Sequence, residues 1–257
     1  MEFVQAGGHR LEYRWIESGT GSTGPALVFL HEGLGSASLW KTFPDRVVQA
    51  AGCPALVYSR YGYGRSDRMT QSREVDYMHR EALDTLPDLL AGLSVRDPIL
   101  IGHSDGASIA LIYAGAQRGP LSGLVLMAPH VFVEDVTVDS IARAKTTFET
   151  SDLARRLGRH HDDATSTFYG WNDVWLRPEF RAWNIEEYLG HITAPTLLIQ
   201  GEDDQYGTRA QVDAIATRVS GPVELIMLDA CGHAPHFDRE EATVEAIARF
   251  VGSLVKG

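Results

Sequence analysis

Residues 99–115 read ILIGHSDGASIALIYAG. An apolar run of strand type stops at Gly102, Ser104 stands in the turn, and a helix-type stretch follows Gly106. This is the pattern G-x-S-x-G in the setting of strand, tight turn and helix, which lifts the serine hydroxyl above a sheet. Side chains at 102 and 106 would collide across so sharp a turn, hence glycine at both. The helix N-terminus beneath Ser104 favours negative charge developing nearby. Ala107, Ala110 and Ala114 let the helix lie close to the sheet. Ser104 is therefore the candidate nucleophile. The competing reading is a glycine-lined turn with an incidental serine.

Outward from this run, short apolar segments alternate with helical ones. Strands are predicted at Leu11–Ile16, Ala26–Leu30, Ala55–Tyr58, Ile99–Gly102, Gly123–Ala128, Thr196–Gln200 and Glu224–Leu228. Several are almost wholly apolar, as strands buried on both faces of a parallel sheet are. The N-terminal EFVQAGGHRLEYRW mixes polar and apolar residues around Gly7-Gly8 and reads as a leading hairpin. Helices are expected at Ser36–Ala50, at Asp76–Leu93 with a bend or break at Pro87, at Ser104–Tyr113, at Thr208–Val219 and at Glu240–Val255. The alternation gives an α/β fold: a mostly parallel central sheet of about eight strands flanked by helices. From His130 to roughly His191 no buried strand is visible. Since so long a structureless loop is improbable, residues 130–191 are expected to form a small helical cap inserted into a core of 1–129 and 192–257.

Composition narrows the function classes. The chain has 257 residues and a net charge of −11, an acidic surface that repels phosphate. Neither nucleic acid nor an anionic membrane is an expected partner. Two distant cysteines, Cys53 and Cys231, provide no disulfide framework or Cys-based zinc site and fit a reducing compartment. MEFVQAGGHRLEYRW has no signal-peptide character, and no apolar run is long enough to span a bilayer. A soluble, cytoplasmic protein is expected.

A serine hydroxyl is a poor nucleophile without a base. Of the ten histidines, His233 follows the last strand in a short loop. Parallel strands deliver their C-terminal ends to one edge, so this loop can reach Ser104. His236, three residues on, is the rival. The base in turn needs a carboxylate, and Glu202, Asp203 and Asp204 follow strand Thr196–Gln200. His160-His161 with Asp162-Asp163 reads as an exposed helix end rather than a metal site, and His103 as packing beneath the turn. No His-x-x-x-His zinc motif occurs, and YGYGRSD lacks the third glycine of a dinucleotide loop. Its glycines read as serving a tight surface turn. No metal and no cofactor is expected.

The chain resembles the α/β-hydrolase superfamily over nearly its whole length. LVFLHEGLGS at 27–36 is similar to the family's His-Gly loop, with Glu32 in place of the more usual glycine. YSRYGYGRSD at 58–67 resembles its Asp-x-Arg-Gly-x-Gly-x-Ser run, with Ser59 at the aspartate position. GHSDG resembles the nucleophile elbow, LLIQGEDDQYG at 197–207 the loop of the triad acid, and DACGHAPHFDREE at 229–241 the loop of the histidine. The resemblance implies a triad of Ser104, Asp204 and His233. It leaves Asp203 as runner-up and Glu134, after the preceding strand, as a remoter acid. The oxyanion donors it implies are the backbone N–H groups of Asp105 and Gly33.

The insertion carries Phe168, Tyr169, Trp171, Trp175, Phe180, Trp183 and Tyr188. Most are expected to glue its helices to the sheet, with one or two roofing a pocket for a small hydrophobic or aromatic acyl group. Were Glu32 or Asp105 to face that pocket, anionic substrates would be disfavoured. The leading expectation is a serine hydrolase acting on a carboxylic ester or thioester through an acyl-enzyme. The alternatives are a carbon–carbon bond hydrolase on a diketone and a small-molecule receptor that keeps the hydrolase fold.

Overall fold

A computed structural model describes residues 1–19 and 24–255. Its eight strands are β1 (Glu2–Ala6), β2 (His9–Ile16), β3 (Leu27–Leu30), β4 (Ala55–Tyr58), β5 (Ile99–His103), β6 (Gly123–Met127), β7 (Thr196–Gly201) and β8 (Val223–Leu228). They form one sheet in the order β1-β2-β4-β3-β5-β6-β7-β8. The hairpin β1–β2 and the pairing β2–β4 are antiparallel, and every later pairing is parallel. The central strands are continuous apolar runs because each divides its side chains between two cores. Val28, Leu30, Leu100, Leu124, Leu126 and Leu198 enter one, while Leu27, Phe29, Ile99, Ile101, Val125, Met127, Leu197 and Ile199 enter the other. Alternate residues of a strand face opposite sides, so a helix layer on each face demands an apolar residue at every position.

On the second face lie α1 (Phe43–Ala51) and α11 (Glu240–Val255). On the first lie α2 (Tyr77–Arg80), a π-turn at Glu81–Thr85, α3 (Leu86–Gly92), α4 (Asp105–Gly115) and, after the insertion, α9 (Arg209–Arg218). Every residue of α4 is buried. Two helices differ from expectation. The segment expected to be helical from Ser36 begins its helix only at Phe43, because Pro44 supplies a first-turn start signal and Lys41 just upstream has a left-handed φ of 52°. Helix 77–92 passes through Pro87 without breaking: the missing N–H is accommodated by the widened π-turn immediately before it.

Between β6 and β7 the chain forms α5 (Asp135–Thr150), α6 (Leu153–Leu157), α7 (Ala164–Trp175), a 3₁₀ turn at Pro178–Ala182 and α8 (Glu186–Leu189). One isolated bridge, Phe132 to Asn184, closes the base of this insertion. Helix α7 starts where Asp163 accepts the N–H of Ser166. It turns Phe168, Trp171 and Trp175 inward at helical spacing. Asn172 donates to the Ile141 carbonyl at 2.8 Å, tying α7 to α5. Among the described residues no helix is long and apolar enough to cross a membrane.

Phe29 is fully buried between Trp40 and Phe43. Phe29→Ala is expected to lower the unfolding free energy by about 3–5 kcal/mol, read from denaturant melts. A loss under about 1 kcal/mol would show that this core collapses around the deletion.

Candidate active site

Ser104 sits between β5 and α4 with φ 53° and ψ −117°. A non-glycine residue at positive φ is strained by roughly 1–3 kcal/mol and persists only where its surroundings enforce it. Here they do. The Ser104 N–H donates to the Met127 carbonyl at 2.9 Å, and a Cβ on Gly102 would lie 2.5 Å from the Gly106 carbonyl oxygen. A Cβ on Gly106 would lie 2.0 Å from the Leu30 carbonyl oxygen. Both glycines are thus required by backbone contact.

Three strand ends converge on this hydroxyl. His233, beyond β8, brings Nε2 to 2.9 Å from Ser104 Oγ. Its Nδ1 lies 2.9 Å from both carboxylate oxygens of Asp204, beyond β7. The Asp204 side chain is 2% exposed and also accepts from Gln200 Nε2 at 2.8 Å and from the Tyr206 N–H at 2.7 Å. Burial alone would raise its pKa. The bond to His233, that residue's charge and the Tyr206 N–H outweigh burial and hold the carboxyl below its ordinary value. An ionised Asp204 therefore places a proton on His233 Nδ1 and leaves Nε2 as the lone pair facing Ser104.

The rivals lie elsewhere. His236 is buried against Trp40, Phe43 and His103, where burial pushes its pKa well below 6.5. Glu134 accepts from the Thr208 N–H and hydroxyl and from Gln211. Asp203 is held through its N–H by the Cys231 carbonyl. His103 donates from Nε2 to the His233 carbonyl at 2.7 Å, so it props up the backbone of His233. His161 is not at an exposed helix end: it is buried, its Nδ1 accepting from the Gly64 N–H while Nε2 donates to the Leu34 carbonyl. The turn containing Gly62 and Gly64 is likewise buried rather than superficial, with φ of 84° and 57° at the two glycines. His161 so joins the insertion to both loops beside the site. Among the described residues, no group of three or more His, Cys, Asp or Glu side chains is placed to hold a metal ion.

The loop after β3 is held from below. His31 Nε2 accepts the Arg60 N–H at 3.1 Å, which puts its proton on Nδ1 for donation to the Glu32 carbonyl at 2.7 Å. Burial and the neighbouring Arg60 charge push the His31 pKa well below 6.5, keeping it neutral. The Arg60 guanidinium, 1% exposed, donates to the carbonyls of His31 and Glu32 and stands 3.7 Å from Asp105 Oδ2. Burial opposes its charge, but Tyr63, Asp105, Glu81 and Tyr77 outweigh that. Asp105 Oδ2 also accepts from Tyr77 at 2.6 Å, and the Tyr77 hydroxyl accepts from Trp175 Nε1 at 3.0 Å. This chain of bonds ties the insertion to the start of α4. Neither the Gly33 N–H nor that of Asp105, first in its helix, has a protein acceptor among the described residues. Ser59, at the position of the family's aspartate, donates to Glu12 at 2.6 Å and accepts from the Ala37 N–H, so a serine with a distant carboxylate fills that place.

A cavity of about 140 Å³ opens above Ser104, walled by Glu32, Gly33, Asp105, Trp171, Trp175 and Tyr206 among others. Trp171 packs directly on Gly33, where a Cβ would lie 2.0 Å from its indole Nε1. His130 and Tyr206 were not anticipated. His130 lies just beyond β6, at the same sheet edge, and its ring stands 5.6 Å from His233. Burial, and then the charge of His233, push its pKa down to about 3, so it is neutral at every pH of interest. Its place after an apolar strand was the available signal.

Residues 27–246 match the family model described as the alpha/beta hydrolase family, and the chain belongs to that family. The proline iminopeptidase of Lactobacillus helveticus is 25% identical over 95% of this chain and 95% of its own length. The 2-hydroxy-6-oxononadienedioate/2-hydroxy-6-oxononatrienedioate hydrolase 1 of Dechloromonas aromatica is 25% identical over 90% of this chain and 87% of its own. Among solved structures, a thermophilic esterase from Thermogutta terrifontis superposes with a TM-score of 0.76 at 17% identity, covering 99% of this chain and 100% of that one. The chain is thus an α/β hydrolase among relatives of differing chemistry.

The geometry ranks the rivals. His233→Ala is expected to lower kcat by about 10⁴-fold or more, with His236→Ala within about tenfold of the parent. Asp204→Asn should cost about 10⁴-fold, by holding the wrong imidazole tautomer, and Asp203→Asn little. Steady-state kinetics on any turned-over ester checks both, and the reverse order in either pair would displace the assignment.

Proposed function

We propose that this chain is a serine hydrolase that cleaves a small carboxylic ester or thioester through an acyl-enzyme on Ser104. The observation that carries the reading is the line Ser104 Oγ, His233 Nε2, His233 Nδ1, Asp204, with 2.9 Å at each junction. Ser104 Oγ attacks the acyl carbonyl as His233 Nε2 takes its proton, and Asp204 stabilises the imidazolium that results. The Gly33 and Asp105 N–H groups receive the oxyanion. The intermediate collapses with cleavage of the C–O or C–S bond, and His233 returns the proton to the departing alcohol or thiol. Water, deprotonated by the same histidine, then attacks the acyl-enzyme and releases acid and free Ser104. Residues 130–191 act as the cap whose Trp171 and Trp175 exclude water from this step, and the reducing cytoplasm is the compartment proposed for a chain with two free, buried cysteines.

A carbon–carbon bond hydrolase is the second reading, favoured by the similarity to the dienedioate hydrolase. Its diacid substrate would have to bring a carboxylate into a cavity that, among the described residues, has Glu32 in its wall and no Lys or Arg, which favours the ester reading.

A fluorophosphonate probe is expected to label one site and to lose that label in Ser104→Ala. Labelling that survives the substitution would remove Ser104 as nucleophile. Hydrolysis of short acyl p-nitrophenyl esters is expected to persist in excess chelator. Activity lost to the chelator and restored by a divalent metal would replace this mechanism with a metal-assisted one.

A further inference from the structure

We infer that Trp171 is a specificity-determining residue, and that its indole N–H recognises an uncharged acceptor oxygen on the α-carbon of the acyl group, as in a short 2-alkoxyacyl or 2-hydroxyacyl ester or thioester. The inference rests on the ester-hydrolase reading for the position of the scissile bond.

Helix α7 lays Trp171 on the loop after β3, in T-shaped contact with Phe168. The ring meets that loop nitrogen first: a Cβ on Gly33 would lie 2.0 Å from Nε1 and 2.3 Å from Cδ1. Elsewhere, Trp175 Nε1 donates to Tyr77, while Trp40 and Trp183 keep Nε1 enclosed and unpartnered. Trp171 Nε1 has no acceptor among the described residues either. It is not enclosed, however, although the residue as a whole is 7% exposed. The opening that Trp171 borders is the cavity over Ser104, so a free donor faces that cavity beside Gly33. A buried indole N–H ordinarily finds a partner, and here the partner has to come from a ligand or from water.

The charged groups of the wall are engaged elsewhere. Asp105 is held by Tyr77 and Arg60. Glu32 turns toward Gly35 and His103: a Cβ on Gly35 would lie 2.2 Å from Oε2, which stands 3.8 Å from His103 Nδ1. Among the described residues lining the cavity none is Lys or Arg, so no cation is there to receive a carboxylate. An indole N–H is a donor that never carries charge, and an uncharged oxygen matches it. The sheet order puts Gly33, after β3, and His233, after β8, on opposite sides of Ser104. The leaving group departs toward His233, against whose ring His130 and Tyr206 stand. Trp171, on the Gly33 side, therefore meets the acyl part, next to the carbonyl that Ser104 attacks. The volume of about 140 Å³ is well below the roughly 300–1,000 Å³ of sites for drug-sized molecules, so that part is small. A methylene set against this N–H would displace its water and leave the donor unpaired, whereas an ether or hydroxyl oxygen in the same place restores the bond.

The test compares methoxyacetyl and butyryl p-nitrophenyl esters, which differ by an oxygen in place of a methylene, with each kcat/KM divided by the ester's own hydroxide-catalysed rate. The corrected preference for the methoxyacetyl ester is expected to be about threefold or more. Trp171→Phe keeps an aromatic ring, removes the N–H and should bring the ratio to near unity. A smaller preference in the parent, or one that Trp171→Phe leaves intact, would overturn the inference. Each protein is read as a ratio of two isosteric esters, so a general loss of activity in Trp171→Phe does not blur the result. A second readout needs no turnover. The five tryptophans give five indole N–H resonances, and the one missing in Trp171→Phe is that of Trp171. In Ser104→Ala this proton is expected to move further downfield on titration with methoxyacetamide than with butyramide. Equal movement, or none, rejects the inference. If no ester is hydrolysed, the hydrolase reading falls, and the amide titration still decides for or against recognition of the oxygen.

Discussion

The C-terminal edge of the sheet depends on one backbone conformation, the positive φ of Ser104. The strand before it and the helix after it are among the most buried elements of the molecule, so the turn between them cannot relax. Gly102 meets the backbone of Gly106 and Ala107, and Gly106 meets the Leu30 carbonyl, so the elbow is pressed against both its own helix and the end of β3. Local strain is maintained by global packing, and the hydroxyl is presented where the loops after β3, β6, β7 and β8 arrive.

A buried cation organises the other half of the site. Arg60 orients the carbonyls of His31 and Glu32, which aims the amides that follow, and it stands beside Asp105 at the head of α4. Tyr77 and Trp175 extend this network into the insertion. A buried charge is tolerated only with such partners, and losing one leaves the rest uncompensated. The loop after β3, the elbow and the roof of the cavity are therefore coupled, and a change in any of them reaches the others without touching Ser104 or His233.

The parts legible in the sequence are those set by local constraint. The elbow is a few residues of steric logic flanked by a strand and a helix, and the apolar runs of β3 to β7 reveal their double burial directly. Parallel strands send the loops after β7 and β8 to the edge that holds Ser104, while the choice of Asp204 and His233 within those loops comes from the family resemblance. What was not legible depends on contacts between distant segments. Pro87 announces a disturbance, but whether the helix breaks or widens is decided by packing against the sheet. Ser59 reads as a departure from the family pattern until Glu12, on another strand, is seen to complete it. His161 reads as exposed because nothing nearby in sequence shows that Gly64 and Leu34 close over it. His130 carries no motif at all, and only the convergence of strand ends brings it beside His233.

The central claim is that Ser104 carries the acyl group between the two half-reactions. The most direct measurement is intact-protein mass spectrometry of the enzyme acid-quenched during turnover of a short acyl p-nitrophenyl ester, followed by peptide mapping. The account predicts a mass increase of one acyl group, mapped to the peptide containing Ser104 and absent in Ser104→Ala. Product formation with an adduct on another residue, or at an undiminished rate in Ser104→Ala, would contradict it.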